Sequence, residues 1–353
     1  MQFPKRINWF LLVIPILIFA LGFVTLFSTQ PDLARNQLVF FAISIVVYLG
    51  VALVDYRVWG HFWKPMYFVT LGLLVLTFVL GQELFGSTRW LQIGSFNLQP
   101  SEFTKIVVIM VVAFLLSKKS DSIENPKYLL NIMLYIVPLF GLVFIQPDLG
   151  TSIVIISIVL AILWFGGLKK IYFVVSLLLV GVFSTPLWSL LKDYQRERIL
   201  VFLNPSLDIL GSGYNVIQSS IAIGSGGLFG RGFGRGTQSH LQFLPVFWTD
   251  FVFAAFAEEW GFVGVMLLLS LFTILFFIIL TISVKTKDSF GSLISIGVFT
   301  VFFLQFIVNV GMNLGIMPVT GIPLPLVSYG GSSLLTSAFL LGLVQSVWIH
   351  EKV

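Results

Sequence analysis

Residues 251–282 read FVFAAFAEEWGFVGVMLLLSLFTILFFIILTI. The only charged side chains in this run are Glu258 and Glu259. So long an apolar run reads as a membrane-spanning helix, because in hydrocarbon a helix satisfies every backbone N–H and C=O within one segment. About 20 residues suffice to cross, so the run predicts tilt or extension beyond the bilayer. Further apolar runs lie near 7–28, 37–54, 65–81, 103–117, 128–145, 149–167, 171–190, 290–317 and 331–349. The composition agrees: 58% of residues are hydrophobic and 10% charged, against about 45–50% and 25% in soluble domains. That excludes a soluble enzyme, a disordered chain and a nucleic-acid-binding domain. The expected fold is an all-α polytopic membrane protein with about ten transmembrane helices, one integral membrane domain over 1–353. A long extracytoplasmic loop over 190–250 completes it. The first run, from Ile7 to about Ser28, is too long for a cleaved signal peptide and reads as a retained span. With no cysteine there is no disulfide or thiolate site, and three histidines without HExxH suggest no metal site.

Lysine and arginine set the orientation. With the N-terminus inside, the inner segments carry Lys5, Arg6, Arg57, Lys64, Lys118, Lys119, Lys127, Lys169, Lys170, Lys285, Lys287 and Lys352. The short outer segments carry Arg35, Arg89 and Lys105. Twelve against three predicts both termini in the cytoplasm. The long loop then lies outside, with Lys192, Arg196, Arg198, Arg231 and Arg235. Its stretch Gly224-Ser-Gly-Gly-Leu-Phe-Gly230-Arg-Gly-Phe-Gly-Arg-Gly236 interleaves Arg and Phe, unlike a plain linker. No strand precedes it and no lysine follows a GxxxxG, so it is neither a Rossmann nor a Walker loop. No internal repeat is visible, which weighs against an inverted-repeat transporter.

Carboxylates inside a membrane are costly, so each needs a reason. Asp250 opens the 251–282 run and is either a helix cap or a catalytic base. On a straight helix Glu258 would lie roughly 12 Å deeper, facing a cavity or a basic partner. Glu102 and Lys105 share a helix face, as a local ion pair or with one of them pairing across the bundle. Asp148, in Gln146-Pro147-Asp148, is either turn chemistry or functional. From Asn309 to Ser333 three prolines and five glycines interrupt the apolar pattern. Irregular backbone at membrane depth lines a cavity or is buried in protein. With Asp250 on the same side, the expectation is one outward-facing polar cavity. His240 reads as a solvated loop histidine near its rim.

Five runs, in order, carry a resemblance: Arg89-Trp90, Gln99-Pro-Ser-Glu102-Phe-Thr-Lys105, Gln146-Pro-Asp148-Leu-Gly-Thr151, Thr249-Asp250 with Glu258-Glu259, and the Asn309–Ser333 block. Together they resemble the SEDS family, which includes RodA, FtsW and SpoVE. Tyr194-Gln-Arg196-Glu-Arg198 and the stretch from Tyr214 look more like its elongation branch, the RodA proteins. The resemblance implies a peptidoglycan glycosyltransferase of the bacterial inner (plasma) membrane. It would polymerise lipid II with inversion, releasing undecaprenyl pyrophosphate, during elongation and shape maintenance. It implies a class B penicillin-binding protein as transpeptidase partner, with MreC and MreD in the wider complex. Asp250 matches the family's essential aspartate, and Glu258, Glu102, Lys105, Asp148 and Trp90 match other activity-linked positions. Two positions depart. Val246 and Trp248 stand where many relatives have Glu and His, and Ser220 where relatives often have Lys.

Such chemistry needs one general base, for which Asp250 is the choice, and positive charge for the leaving pyrophosphate. Arg196, Arg198, Arg231, Arg235 and Arg89 are candidate contacts, as are Ser328 and Tyr329. A Mg²⁺ or Mn²⁺ ion is compatible with the reaction but not required by it. Glu258, Lys105 and Glu102 are expected to form one buried network setting the position of Asp250. Two other classes compete: a lipid II flippase, and a non-catalytic scaffold for the transpeptidase. The outward clustering of polar groups and the lack of an ATP motif favour the polymerase.

Overall fold

A computed structural model describes residues 7–84, 87–94, 96–118, 125–182, 193–204, 208, 211–241, 243–244 and 246–351. Ten helices answer the ten apolar runs: α1 Trp9–Thr29, α2 Pro31–Leu53, α4 Trp63–Leu80, α5 Pro100–Lys118, α6 Pro126–Ile145, α7 Leu149–Phe165, α8 Lys170–Val182, α12 Val252–Lys285, α13 Ser289–Asn313 and α14 Gly331–His350. Eight are long and apolar enough to cross a membrane; α7 and the described part of α8 are shorter. Asparagine and aspartate start several of them: Asn8, Asn125, Asp148 and Asp288 each accept a backbone N–H of the first turn. The chain is a multi-pass membrane protein.

α5 is the centre of the bundle. Its stretch Ile106–Ala113 is at most 3% exposed, walled by α4, α7, α13 and α14. The outer helices keep large apolar side chains exposed, such as Phe10, Val46, Val79 and Leu134, which is how a lipid-facing surface reads. One feature departs from an all-α chain. Between α4 and α5 three short antiparallel strands, β1 Gln82–Leu84, β2 Ser87–Ile93 and β3 Phe96–Leu98, form a small sheet, with Trp90 opposite Gln82 and Leu91 opposite Leu98. The short helix α3, Tyr56–His61, lies at the other end of the bundle.

The 190–250 segment is mostly helical where it is described: α9 Asp193–Leu203, α10 Ser212–Gly226 and α11 Thr237–His240. Its glycine-rich hairpin does not extend into solvent. α12 breaks at Gly261, whose φ of 63° and ψ of −166° suit glycine alone. A break leaves carbonyls without partners before it and N–H groups without partners after it. The hairpin supplies both kinds of partner. Arg231 N and Gly232 N donate to Glu258 O and Glu259 O at 2.9 and 3.0 Å, while Phe262 N and Val263 N donate to Gly227 O and Leu228 O at 2.9 and 3.0 Å. A Cβ at Gly226 would overlap Ala257 O, and one at Gly230 would overlap Glu259 O.

This break corrects the expected depth of Glu258. The Glu259 carboxylate accepts from Ser28 Oγ, and Trp260 Nε1 donates to Thr25 Oγ1 at 3.2 Å. Ser28 and Thr25 belong to the last two turns of α1, so the break lies near the end of a span. The 262–285 half is about 36 Å long at 1.5 Å per residue and can cross by itself. The excess length of the opening run is therefore extension: residues 252–260 are a separate short helix at the mouth of the bundle.

Candidate active site

The turn before α12 carries Asp250, and the irregular 309–333 block holds it carbonyl by carbonyl. Tyr329 N donates to Trp248 O at 2.8 Å. Ser328 Oγ donates to Thr249 O at 2.6 Å. Asn309 Nδ2 and Asn313 Nδ2 both donate to Asp250 O at 3.0 Å. The two asparagines are fully buried and one turn apart on α13. Asn309 also donates to Ile322 O at 2.8 Å, and Asn313 Oδ1 accepts from Ala254 N at 3.1 Å. The main chain of Asp250 is thus tied to α13, to the 321–324 segment and to the first turn of α12.

Its carboxylate is used differently. Phe251, not Asp250, occupies the N-cap position of α12, and no side chain caps that helix. Of the two sequence readings, the cap is therefore excluded. Among the described residues Thr249 is the one hydrogen-bond partner of the half-buried carboxylate. Gly321 leaves room beside it: a Cβ there would stand 3.6 Å from Oδ2. Burial pushes the Asp250 carboxyl above its ordinary value; Arg198, the Thr249 hydroxyl and Arg89 oppose that rise, and Asp148 adds to it.

Asp148 and Arg89 form the facing wall. Arg89 on β2 donates Nε to Gln146 O at 3.3 Å and Nη2 to Pro147 O, and its Nη1 lies 3.6 Å from Asp148 Oδ1. Asp148 also accepts from Ser101 Oγ at 2.9 Å, Gln99 Nε2 at 3.3 Å and Thr151 N at 3.1 Å. It both caps α7 and is the anion of a small network. Next to it, Gly150 packs on Thr320 O and Ile322. The 320–322 segment therefore lies between the Asp148 turn and Asp250. Trp90 neighbours Arg89 on the same strand, half-buried.

Three expected arrangements are corrected. Lys105 Nζ pairs with Glu102 Oε2 at 2.7 Å, both buried, as a local i,i+3 pair. Glu258 takes no part in it. Its carboxylate instead accepts from Thr237 Oγ1 at 3.3 Å, Gln238 N at 2.9 Å, Ser239 N at 3.2 Å and Ser239 Oγ at 3.0 Å. The single network is two separate ones, because the donors for Glu258 come from the hairpin folding back along α12. Ser328 points its hydroxyl inward, accepting from Leu324 N at 2.8 Å while donating to Thr249 O, which leaves it a clamp and not a substrate contact. Tyr329 contributes its N–H to the same clamp, and its ring lies 6.4 Å from Phe40.

The arginines divide. Arg198 on α9 lines a cleft with Val216, Gly315, Pro318 and Val319, against the same irregular block that holds Asp250. Arg196 lies on the same helix, half-buried. Arg231 and Arg235 are exposed on the hairpin beside Glu258, roughly two turns along α12 from Asp250. Arg231 Nε donates to Ser225 O and Oγ at 3.3 and 3.1 Å, at the end of α10. His240 is half-buried and more than a solvated loop residue: its Nε2 lies 3.2 Å from Ser28 O. Sequence reasoning missed Asn309 and Asn313 as individual residues. Their signal was an i,i+4 pair of amides in an apolar helix, which puts both on one face.

The family model described as "Cell cycle protein", covering FtsW, RodA and SpoVE, matches residues 6–353. The chain belongs to this family. It is 41% identical over 316 residues to the peptidoglycan glycosyltransferase MrdB of Escherichia coli K12, covering 88% of this chain and 84% of that one. Its structure is similar to a chain solved under the description "Structural coordination of polymerization and crosslinking by a peptidoglycan synthase complex", with TM-score 0.83, 35% identity and 97% of each chain covered. It is also similar to an aspartate-to-alanine mutant of the rod shape determining protein RodA of Thermus thermophilus, with TM-score 0.74, 32% identity and 97% of each chain covered. As a SEDS-family member the chain is a glycosyltransferase, in agreement with the sequence motifs.

Proposed function

We propose that this peptidoglycan glycosyltransferase polymerises lipid II at the outer face of the bacterial inner membrane, with Asp250 as general base. One observation carries the reading: the main chain of Asp250 is fixed by two buried asparagines, while its partly buried carboxylate has one hydrogen-bond partner, the Thr249 hydroxyl, among the described residues. The base takes the proton of an acceptor sugar hydroxyl as its oxygen attacks the donor anomeric carbon. The bond from that carbon to undecaprenyl pyrophosphate breaks, with inversion, and the pyrophosphate leaves with the electron pair. Arg198 and Arg89, whose charges reach Asp250, offset the negative charge developing on the leaving group. Arg196 stands beside Arg198 as a further contact. The Asp148 network holds α5, α7 and the sheet in register around the mouth, and the Glu102–Lys105 pair lies buried within α5 itself. Among the described residues no cluster of three or more acids or histidines stands ready to cage Mg²⁺ or Mn²⁺ with protein ligands alone; an ion held by the Asp250 carboxylate and the substrate's phosphates would offset charge on the leaving group, and no step is routed through it.

Orientation has its own support. Arg57, Lys64, Lys118, Lys127, Lys169, Lys170, Lys285 and Lys287 lie at the end of the bundle opposite Asp250, which favours both termini in the cytoplasm. A class B penicillin-binding protein is the proposed partner, with MreC and MreD in the wider complex during elongation. The polymerisation–crosslinking complex among the similar structures supports the first of these. The test is lipid II polymerisation by the purified protein, with and without that partner, for wild type and Asp250→Asn. Glycan ladders that vanish in the variant uphold the assignment; ladders of equal strength refute Asp250 as base.

A further inference from the structure

The hairpin that repairs α12 presents an unusual outer surface. Leu228, Phe229 and Phe233 are 65%, 81% and 54% exposed. Arg231 and Arg235 are exposed among them. Phe262, the first residue of the spanning half of α12, continues the apolar face at 57% exposure. Exposed phenylalanines are ordinary in the middle of a lipid-facing span. Here they alternate with cations, at a level marked by the last turns of α1 and the start of the 262–285 span. That level is a membrane interface, where headgroup phosphates stand above acyl chains.

We infer that residues 227–236 form an interfacial anchor that inserts Leu228, Phe229 and Phe233 among acyl chains and binds anionic phospholipid headgroups through Arg231 and Arg235. The hairpin suits the task. Its backbone is fixed by four hydrogen bonds to α12, so its side chains are presented without further ordering of the chain. Among the described residues Arg235 has no ion-pair partner, and the one contact of the Arg231 guanidinium uses Nε, leaving its two Nη groups for phosphate oxygens. Apolar side chains with interleaved arginines are the composition of surfaces that lie in the bilayer boundary and prefer anionic lipid. The anchor stands apart from Asp250 and does not depend on the polymerase reading. It would brace the break in α12 from the lipid side while the hairpin's backbone braces it from the protein side.

The chain has no cysteine, so one introduced thiol reports cleanly. Phe229→Cys carrying a bimane fluorophore would be reconstituted in phosphatidylcholine vesicles containing phosphatidylglycerol. Brominated phosphatidylglycerol and brominated phosphatidylcholine would be compared as quenchers. The expected result is strong quenching by both lipids, severalfold stronger by phosphatidylglycerol. That preference should weaken with added salt. It should fall to parity in Arg231→Gln/Arg235→Gln and return with lysine at both positions. Arg235→Gln alone, at a side chain with no ion-pair partner among the described residues, should lower it part-way if the double variant folds poorly. Quenching by aqueous iodide and not by lipid would overturn the anchor, and equal quenching by the two lipids in the wild-type hairpin would overturn anionic recognition. Loss of the phosphatidylglycerol preference on adding undecaprenyl phosphate at low micromolar concentration would reassign the arginines to the polyprenyl lipid. Fluorophore self-quenching that rises with protein density, without lipid quenching, would reassign the face to a second copy of the chain.

Discussion

Two ends of one short helix, residues 252–260, treat their acids in opposite ways. At the first end, the main chain at Asp250 is held and its carboxylate is left with one neighbouring hydroxyl. At the second, the carboxylate of Glu258 is engaged by four donors from the hairpin, and that of Glu259 by Ser28 and Gly234. A carboxylate that answers every nearby donor is holding structure together. One whose backbone is rigid and whose oxygens have a single hydroxyl partner among the described residues is set up for chemistry. Composition makes the three acids look alike; the donors around them do not.

The contrast breaks most sharply at Asp250. Asp250→Asn should lower polymerisation by about 10²–10⁴-fold, the usual weight of a general base, without lowering thermal stability. The sign follows from the raised carboxyl. The folded state holds its proton more tightly than the unfolded state, so stability declines as pH rises from the ordinary carboxylate range through the raised folded value. A neutral amide removes that penalty. A variant that is inactive because it unfolds at lower temperature would contradict the assignment.

At the other end the effect is on stability. Gly230→Ala puts a Cβ onto Glu259 O at a φ of 79° and should cost about 2 kcal/mol or more, read as a lowered unfolding temperature in detergent. Glu258→Gln turns one oxygen facing hairpin donors into a donor itself. It should cost about 1–3 kcal/mol, with activity per folded molecule retained. If that variant instead keeps full stability and loses turnover, Glu258 belongs with the chemistry and the contrast between the two ends collapses.

Smaller effects sharpen the Asp250 end. Asn313→Ala removes one of two donors to Asp250 O and the acceptor for Ala254 N. A loss of about 1–1.5 kcal/mol of positioning should appear as a roughly tenfold fall in kcat with KM unchanged. Arg198→Gln withdraws the leading charge that opposes the rise of the Asp250 carboxyl. The acid limb of the pH–rate profile should therefore move to higher pH, with the plateau the least affected measure; a shift to lower pH would contradict the electrostatic link.

Much of this was legible beforehand. Each of the ten apolar runs is helical where it is described, and the Pro- and Gly-rich block did meet Asp250. The local pair Glu102–Lys105 was one of the two arrangements that the i,i+3 spacing allowed. The small sheet was not read, since strands of three to seven residues leave little alternation to see. The joint network of Glu258 and Lys105 was misassigned, because two buried opposite charges suggest each other until nearer donors are known.

The sequence by itself determined the number and character of the spans, because hydrocarbon admits few structures and demands apolar length. It also determined which acids needed explaining, because a charge in such a chain is expensive wherever it lies. Only the tertiary structure decided what each acid does. The donors that engage Glu258 stand 19 to 21 residues before it, and those that hold the Asp250 carbonyl stand 59 and 63 residues after it. A carboxylate's role depends on which donors reach it, and those donors come from segments distant in sequence, the hairpin for Glu258 and α13 for the Asp250 carbonyl.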